Sequence, residues 1–567
     1  MRISKVRFFL ELLFAILLIR LFYLQIAQGG LYYSLSIKNC VRVMPYKGVR
    51  GMILDRNGEI IVDNRISHNV SVLPQEVRGN SATLDILAAL LNESAPQIKK
   101  TIKKDFISMS TPVIIARDVD KKTAFLIEEN KLRLPGVIIQ DIPKRSYPYH
   151  NTASHILGYL SQIDRWRITK LKDYGYQIKD IVGFGGIEES LEQVLHAQDG
   201  GIQLQVDHRG RFKRVLGFRQ AKRGNDVRLT IDIRIQKVIE DAFSGKKGAA
   251  ILMEPDSGRI IALVSSPDFY PDMFLEEGNA GYINGLLTDT NSPLMNRAIS
   301  GQYPLGSVFK IVSAVAALEN KKITPEKRFF CPGKMFVGLK EFNCWNTHHS
   351  QDLLEAITHS CNVYFYHLAL LLGPDTLSEY AAKFGLGKTT GIDLPYEASG
   401  KVPSVLSRKM KLGNWYDGDT ANFGIGQGDL LVTPIQAVRL IAILANGGKL
   451  IKPYIIERIE PEEASPGPAS GLGLAPKTIK TVIEGLKQVV NAETGTANIG
   501  WGNLKVAGKT GTAQVHTKLA HGWFVGFLPY DKPKLVFCFF LEHTGASIHA
   551  VMLAQQVFKQ LSEEGLL

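Results

Sequence analysis

Cysteine is scarce in this chain: Cys40, Cys331, Cys344, Cys361 and Cys538 are scattered over 567 residues, and no C-x-x-C pair occurs. That excludes a disulfide framework of the kind that holds small secreted domains together. The odd count leaves at least one free thiol if the chain sits in an oxidising compartment. Long apolar runs are nearly as rare. One stretch near the N-terminus is long enough to cross a bilayer, and no later stretch approaches a second uncharged span. A nucleotide loop is missing too, because Gly424-Ile425-Gly426-Gln427-Gly428 lacks the following Lys-Ser/Thr and a preceding strand. Its glycines serve to turn the backbone. No nucleic-acid-binding motif is present, so the excess of 67 Lys+Arg over 54 Asp+Glu, a net +13, points to anionic lipid or an anionic polymer outside the cell. No cofactor is expected.

A chain of 567 residues is too long for one ordinary core, so at least two globular parts are expected. Arg2, Lys5 and Arg7 precede the apolar residues 8–27, which are broken only by Glu11 and Arg20. The pattern reads as a retained single-span anchor with its N-terminus in the cytoplasm. A cleaved signal peptide is the rival, on the strength of Ala27-Gln28-Gly29, but the apolar stretch is long for one. Residues 50–62 read as a β-hairpin turning at Asn57-Gly58. Residues 67–142 alternate short helices and strands with nothing catalytic among them, and His155, alone beside an apolar run, reads as structural. Near Val227 the composition changes. A helix to about residue 243 is followed by strands at 249–253 and 259–265, apolar on both faces and therefore central in a sheet covered by helices. The Pro- and Glu-rich residues 460–468 read as a surface loop.

Residues 306–319 read as one helix without a polar face, yet Lys310 stands inside it. Residues three apart share a helix face, so the ammonium of Lys310 lies within reach of the Ser307 hydroxyl. Burial among Phe309, Ile311 and Val312 disfavours charged lysine, and a lysine so depressed can take a proton from an alcohol. S-x-x-K alone recurs by chance. Downstream lie Ser360-Cys361-Asn362 and Lys509-Thr510-Gly511-Thr512, giving S-x-x-K, S-x-N and K-T-G in the order found in serine enzymes that react with penicillin. Ser360 and Asn362, two apart, reach one cleft only where a helix meets a loop. Strands are expected at 504–515, 523–528 and 535–541, with a closing helix at about 550–561, and Gly511 lets a ligand lie close to the first of them.

The chain resembles the class B penicillin-binding proteins from the anchor to the last strand. Beyond the three motifs, the resemblance is carried by Arg50-Gly51, Asp55-Arg56-Asn57-Gly58, Arg145 with Tyr147-Pro148, Asn296-Arg297-Ala298, Thr433-Pro434 with Gln436, and Trp523-Phe524-Val525-Gly526. Trp415-Tyr416-Asp417-Gly418-Asp419-Thr420 running into the glycine loop is closer to the cell-elongation member than to the septal one. The sequence departs from Tyr-Pro-Pro-Gly-Ser-Thr-Phe-Lys at Leu305 and Val308, neither of which is a reacting group.

The resemblance implies an α/β (α+β) protein. It has an anchor at residues 1–30, an elongated non-catalytic pedestal at 31–235, and a transpeptidase domain at 236–567 with an antiparallel sheet between helical layers. It implies a D,D-transpeptidase on the outer side of the bacterial inner membrane, acting on peptidoglycan stem peptides and inhibited by β-lactams. Ser307 would be acylated and Lys310 would take its proton. Ser360 and Asn362 would relay the proton and hold substrate, and Lys509 would support that relay. Thr510 and Thr512 would bind the terminal carboxylate beside Gly511. A SEDS-type glycan polymerase and other elongation-complex membrane proteins are the implied partners, with Glu11 and Arg20 facing the polymerase or snorkelling. A septal transpeptidase, a β-lactam sensor and a β-lactamase-like hydrolase are the alternatives.

Cys331 and Cys344 are expected close together, at the ends of two short strands within residues 335–343. A disulfide between them is the favoured reading, with a stabilisation of about 3 kcal/mol from chain entropy. Zinc held with His348 or His349, or two reduced buried thiols, are the rivals. No metal is assigned to the catalytic chemistry.

Overall fold

A strand that is apolar on both faces needs cover on both faces, and the larger part of the chain is organised by that requirement. The computed structural model describes residues 2–106, 109, 112–171, 176, 180–207, 212–276, 278–411, 413–463, 467, 469–515 and 518–567. Two units are present. One comprises residues 1–51, 64–146 and 196–224, the other residues 52–63, 147–195 and 225–567.

The larger unit carries a five-stranded sheet of β1 (Gly248–Met253), β2 (Ile260–Ser266), β3 (Ala507–Val515), β4 (Lys518–Leu528) and β5 (Leu535–Leu541). Their order is β2-β1-β5-β4-β3, antiparallel throughout. All six residues of β1 are buried, as expected of a strand with helices on both sides. Its helices include, in chain order, α1 (Ile233–Ala242), α2 (Lys310–Glu319), α3 (Leu353–Thr358), α4 (Asn362–Lys383), α5 (Pro434–Ala445), α6 (Pro476–Asn491) and α7 (Ile548–Glu563). α1 packs on β2, α5 on β1, β4 and β5, α6 on β3, and α7 on β4 and β5, while α2 lies against α4 and α6. This is the expected antiparallel sheet between helical layers.

The hairpin expected at Asn57-Gly58 is present, with Ile53 paired to Val62 and Gly58 at φ 87°. Its turn is a staple. The buried Asp55 carboxylate accepts the N–H groups of Asn57 and Glu59, and Asn57 Nδ2 donates to Asp232, which caps α1. His155 is structural as read, buried with Nε2 2.8 Å from the Pro293 carbonyl.

In the smaller unit a helix (Arg2–Phe22) passes through one π-helical turn (Tyr23–Ala27) into a second helix (Gly29–Cys40). Residues Lys5–Ala27 have a mean hydropathy of 2.1 and are long and apolar enough to cross a membrane. Arg7 Nε donates to the Glu11 carboxylate at 2.9 Å one helical turn away. The Arg20 guanidinium lies 5.4 Å over the Tyr23 ring. Strand Ile60–Val72 pairs from His68 onward with strand Val113–Val119, around a core that includes Val70, Val72, Leu84, Leu87, Ile98 and Ile115. Strands Val41–Tyr46, Gly200–Val206 and Phe212–Arg219 form a separate antiparallel sheet. The Cys40 side chain lies outside the described residues, as does part of the loop expected at 460–468, where Glu462–Glu463 pairs with the end of Ile456–Ile459.

Candidate active site

The expected single helix at 306–319 is two elements: a 3-10 turn, Gly306–Phe309, feeding α2. The turn exists because Gly306 adopts φ +59°, which only glycine takes without strain, and because its N–H donates to the Gly426 carbonyl at 2.9 Å. A Cβ at Gly306 would lie 2.8 Å from the Thr512 carbonyl oxygen on β3. In 3-10 geometry residues three apart eclipse, which stacks Ser307 and Lys310 more directly than an α-helix would. Gly306→Ala is therefore expected to push the turn off β3. The expected result is a loss of about 1–3 kcal/mol in stability and slower β-lactam acylation, read by thermal unfolding beside labelling kinetics.

Lys310 is fully buried at the start of α2. Its Nζ donates to the Ser360 carbonyl at 2.7 Å, to Ser360 Oγ at 3.2 Å and to Asn362 Oδ1 at 2.7 Å. Ser360 reaches this position from the loop joining α3 to α4, at φ +54°, a conformation that costs a non-glycine residue about 1 kcal/mol or more. Asn362 is the first residue of α4, and its Nδ2 donates to the Asn343 carbonyl at 3.1 Å. The helix-loop junction that S-x-N demands is therefore there.

Burial pulls Lys310 down to about 8, against a small opposing pull from the Cys344 and Cys361 sulfurs. Lys509, also fully buried on β3, is driven well below the ordinary lysine range by burial and then by the charge of Lys310. Two buried ammonium groups repel, so protonating one favours the neutral form of the other. If neutral Lys310 takes the serine proton, acylation slows by about tenfold for each pH unit below about 8 and levels off above it. A pH series of second-order acylation rates measures this.

The cleft has a volume of about 1270 Å³ and is lined by Ser307, Ser360, Asn362, Thr510 and Thr512, with Lys310, Lys509 and Gly511 immediately behind its wall. Thr510 Oγ1 is 2.9 Å from Thr496 Oγ1, and Thr512 Oγ1 donates to Ser547 Oγ at 3.1 Å. Gly511 has no room for a side chain, since a Cβ would lie 2.9 Å from the Leu305 carbonyl. All three motifs thus converge on one cavity. Sequence reasoning missed Thr496, Ser547 and Gln427, whose Nε2 donates to the Thr512 carbonyl at 3.2 Å. Gln427 sits in the glycine loop, where the sequence points to a backbone turn and not to a polar contact.

The expected disulfide is absent: Cys331, Cys344 and Cys361 are all free. The expected hairpin is there, as strands Lys334–Val337 and Lys340–Asn343, and it does bring Cys331 and Cys344 together. What the sequence reading lacked was the third sulfur. The ligand atoms of Cys331, Cys344, His348 and Cys361 all lie within 4.8 Å of one another. His348 Nδ1 stands 3.7 Å from the Cys331 sulfur and 3.4 Å from the Cys344 sulfur, whereas His349 is on an exposed strand outside the group. Hydrogen bonds from Cys361 and from backbone N–H groups hold the Cys344 thiol far below its ordinary range, while its partner Cys361 is pushed up. Three thiols and an imidazole form a donor set suited to a tetrahedral soft metal.

Residues 248–563 match the family described as penicillin binding protein transpeptidase domain, and residues 45–229 match the penicillin-binding protein dimerisation domain. Peptidoglycan D,D-transpeptidase MrdA of Haemophilus influenzae is 31% identical, over 96% of this chain and 89% of that protein. Among solved structures, penicillin-binding protein PBP2 in a complex with MreC from Helicobacter pylori superposes with a TM-score of 0.82 at 27% identity, covering 93% of this chain and 99% of that one. A peptidoglycan synthase complex described as coordinating polymerization and crosslinking contains a chain matching with a TM-score of 0.76 at 27% identity, over 98% of this chain and 97% of that one.

Proposed function

The chain belongs to the class B penicillin-binding proteins, of the penicillin-binding protein 2 kind, and on that premise we propose that Ser307 is the nucleophile of a peptidoglycan D,D-transpeptidase serving cell elongation. The observation that carries this reading is the buried Lys310 ammonium, held by Ser360 and Asn362 behind a cleft that Ser307, Thr510 and Thr512 line.

Neutral Lys310 accepts the Ser307 proton as Oγ attacks the carbonyl of the penultimate D-alanine of a stem peptide. The tetrahedral oxyanion is met by the backbone N–H groups of Ser307 and Thr512, each such donor contributing roughly 3 to 4 kcal/mol in comparable enzymes. Thr510 and Thr512 hold the terminal carboxylate. Ser360 touches Lys310 Nζ and so lies on the path by which the proton reaches the departing D-alanine amine. Lys509 supports that relay electrostatically, its own charged form disfavoured by burial and by the charge of Lys310. An amine from a neighbouring stem peptide then attacks the acyl-enzyme, which forms the cross-link and frees Ser307.

The division of labour we propose is anchor at 1–30, pedestal at 31–235 and catalysis at 236–567, with the N-terminus in the cytoplasm and the catalytic part outside the inner membrane. The apolar N-terminal helix and the cations at its start support that orientation. The relatives' complexes support a partner in the elongation machinery, and we assign a SEDS-type polymerase contacting the anchor.

Incubating the full chain with a stem pentapeptide ending in D-Ala-D-Ala and following intact mass tests this reading. An adduct of the peptide less one D-alanine, with free D-alanine released, is the expected result. Binding without an adduct or D-alanine release contradicts it.

A further inference from the structure

The cleft continues past the reacting groups. β3, which carries Thr510 and Thr512, runs on to Gln514 and Val515, and β4 returns beside it through Lys518 and His521, all lining the same cavity. His521 stands opposite Ala513, one residue beyond Thr512, and is only 5% exposed. No step of acyl transfer uses it.

The ring of His521 is fixed by packing, with ring centroids of Tyr303 at 5.3 Å, Phe540 at 5.5 Å and His543 at 4.5 Å. The His543 N–H donates to Nδ1 at 3.1 Å, so the neutral ring carries its proton on Nε2. Burial and then the neighbouring His543 pull the ring down to about 4, with the Glu542 charge opposing them, and this keeps it neutral. Among the described residues Nε2 makes no hydrogen bond. A phenylalanine would serve the packing as well. The histidine adds one oriented N–H donor to the cleft wall, and a donor so deeply placed is costly to leave unpaired.

We propose that His521, together with Lys518, reads a carboxylate of the stem peptide on the N-terminal side of the scissile bond, and so selects which stem peptides are acylated. The inference rests on the transpeptidase reading and adds to it a second anion subsite, separate from the one for the terminal carboxylate.

The direction follows from the reaction. With the terminal carboxylate on Thr510 and Thr512 and the oxyanion on the Thr512 N–H, the residues before the scissile bond leave along β3 towards Gln514 and Val515. An extended peptide advances about 3.4 Å per residue and neighbouring strands lie about 4.8 Å apart, so the second and third stem residues pass within side-chain reach of His521. The charge at this end selects an anion. Lys518 has no ion-pair partner among the described residues, and Glu341, the one acidic residue among those lining the cleft, is held by Lys334 at 2.9 Å. The Glu542 carboxylate near His521 is offset by Arg297 at 2.9 Å. The exposed ammonium of Lys518 supplies charge, and the fixed N–H of His521 supplies geometry at little ordering cost. A stem peptide offers two carboxylates upstream: the α-carboxylate of a γ-linked glutamate in second place, and the side-chain carboxylate of a diaminopimelate in third.

The test uses the full chain in detergent and three stem pentapeptides ending in D-Ala-D-Ala: one with both upstream carboxylates, one with the second-residue carboxylate as its carboxamide, and one with the third-residue carboxylate as its carboxamide. Each is followed by D-alanine release and by how far it slows labelling with a fluorescent penicillin. The parent is expected to lose about tenfold or more in kcat/KM on one of the two carboxamides, which identifies the residue that is read. His521→Leu is expected to erase that discrimination, while His521→Gln, which keeps an N–H donor, retains part of it. Lys518→Gln, at an exposed position, is expected to weaken the discrimination and to flatten its dependence on salt. If His521→Leu does not fold, Lys518→Gln decides alone. A parent that treats the three peptides alike, a folded His521→Leu protein or a Lys518→Gln protein that discriminates as the parent does, or variants that lose the same factor on all three peptides would each overturn the proposal. Peptides that slow penicillin labelling in the expected order without releasing D-alanine would instead contradict the transpeptidase reading and leave the subsite standing.

Discussion

Lys310→Ala is expected to slow β-lactam acylation by a factor of about 10² to 10⁴, the range for loss of a general base, while the domain stays folded. In barrier terms this is roughly 3 to 5.5 kcal/mol. The argument rests on what Lys310 touches. Its three hydrogen bonds all go to the S-x-N segment, so the ammonium links Ser360 and Asn362 in the cleft, and in the proposed mechanism the neutral amine takes the Ser307 proton. Alanine removes a buried group that burial itself destabilises in charged form, so the stability change is small beside the rate change. Water from the adjoining cleft can reach the Ser360 carbonyl and Asn362 Oδ1 that lose their donor. Lys310→Arg restores the hydrogen bonds without restoring the rate, because a guanidinium does not give up its proton in a protein. Stopped-flow acylation with thermal unfolding alongside separates the two effects.

The largest effect on stability is expected from Glu542→Ala, just beyond the end of β5. Arg297 Nε donates to Glu542 Oε1 at 2.9 Å, and the side chains are 3% and 10% exposed. Tyr303 donates its hydroxyl to the same oxygen. Removing the carboxylate strands a buried guanidinium, a change that typically costs about 3–5 kcal/mol. Glu542→Gln keeps an acceptor and is expected to cost less. The damage also reaches catalysis, since Tyr303 leads directly into the Gly306–Phe309 turn. Burial raises the Glu542 carboxyl, but Tyr303 and Arg297 together outweigh it and leave the group below its ordinary value. Its contribution is therefore complete above the usual glutamate range and is lost as pH falls through the depressed folded value. Thermal melts of the two variants against the parent, at neutral pH and in mild acid, measure both parts.

The catalytic constellation was legible because its demands are local. A lysine inside a helix with no polar face, a serine three residues before it, and S-x-N at a helix start each follow from short-range geometry, and the structure gathers them in one cleft. The 3-10 turn was not legible. It depends on Gly306 fitting between the Gly426 and Thr512 carbonyls, which belong to segments more than a hundred residues away. The cysteine cluster was half legible for a similar reason. Cys331, Cys344 and His348 are near neighbours in sequence, but Cys361 lies inside the S-x-N motif, beyond the intervening helix Leu353–Thr358. The pairing of Arg7 with Glu11 in the anchor is a plain i,i+4 spacing, legible from the sequence.

The most direct test is to label the full chain with a fluorescent penicillin and map the modified residue by peptide mass spectrometry. One label per chain, on Ser307, and none on a Ser307→Ala protein of unchanged melting temperature is the result this account requires. Stoichiometric labelling of Ser307→Ala, or a label mapped to any other residue of the parent chain, would contradict it.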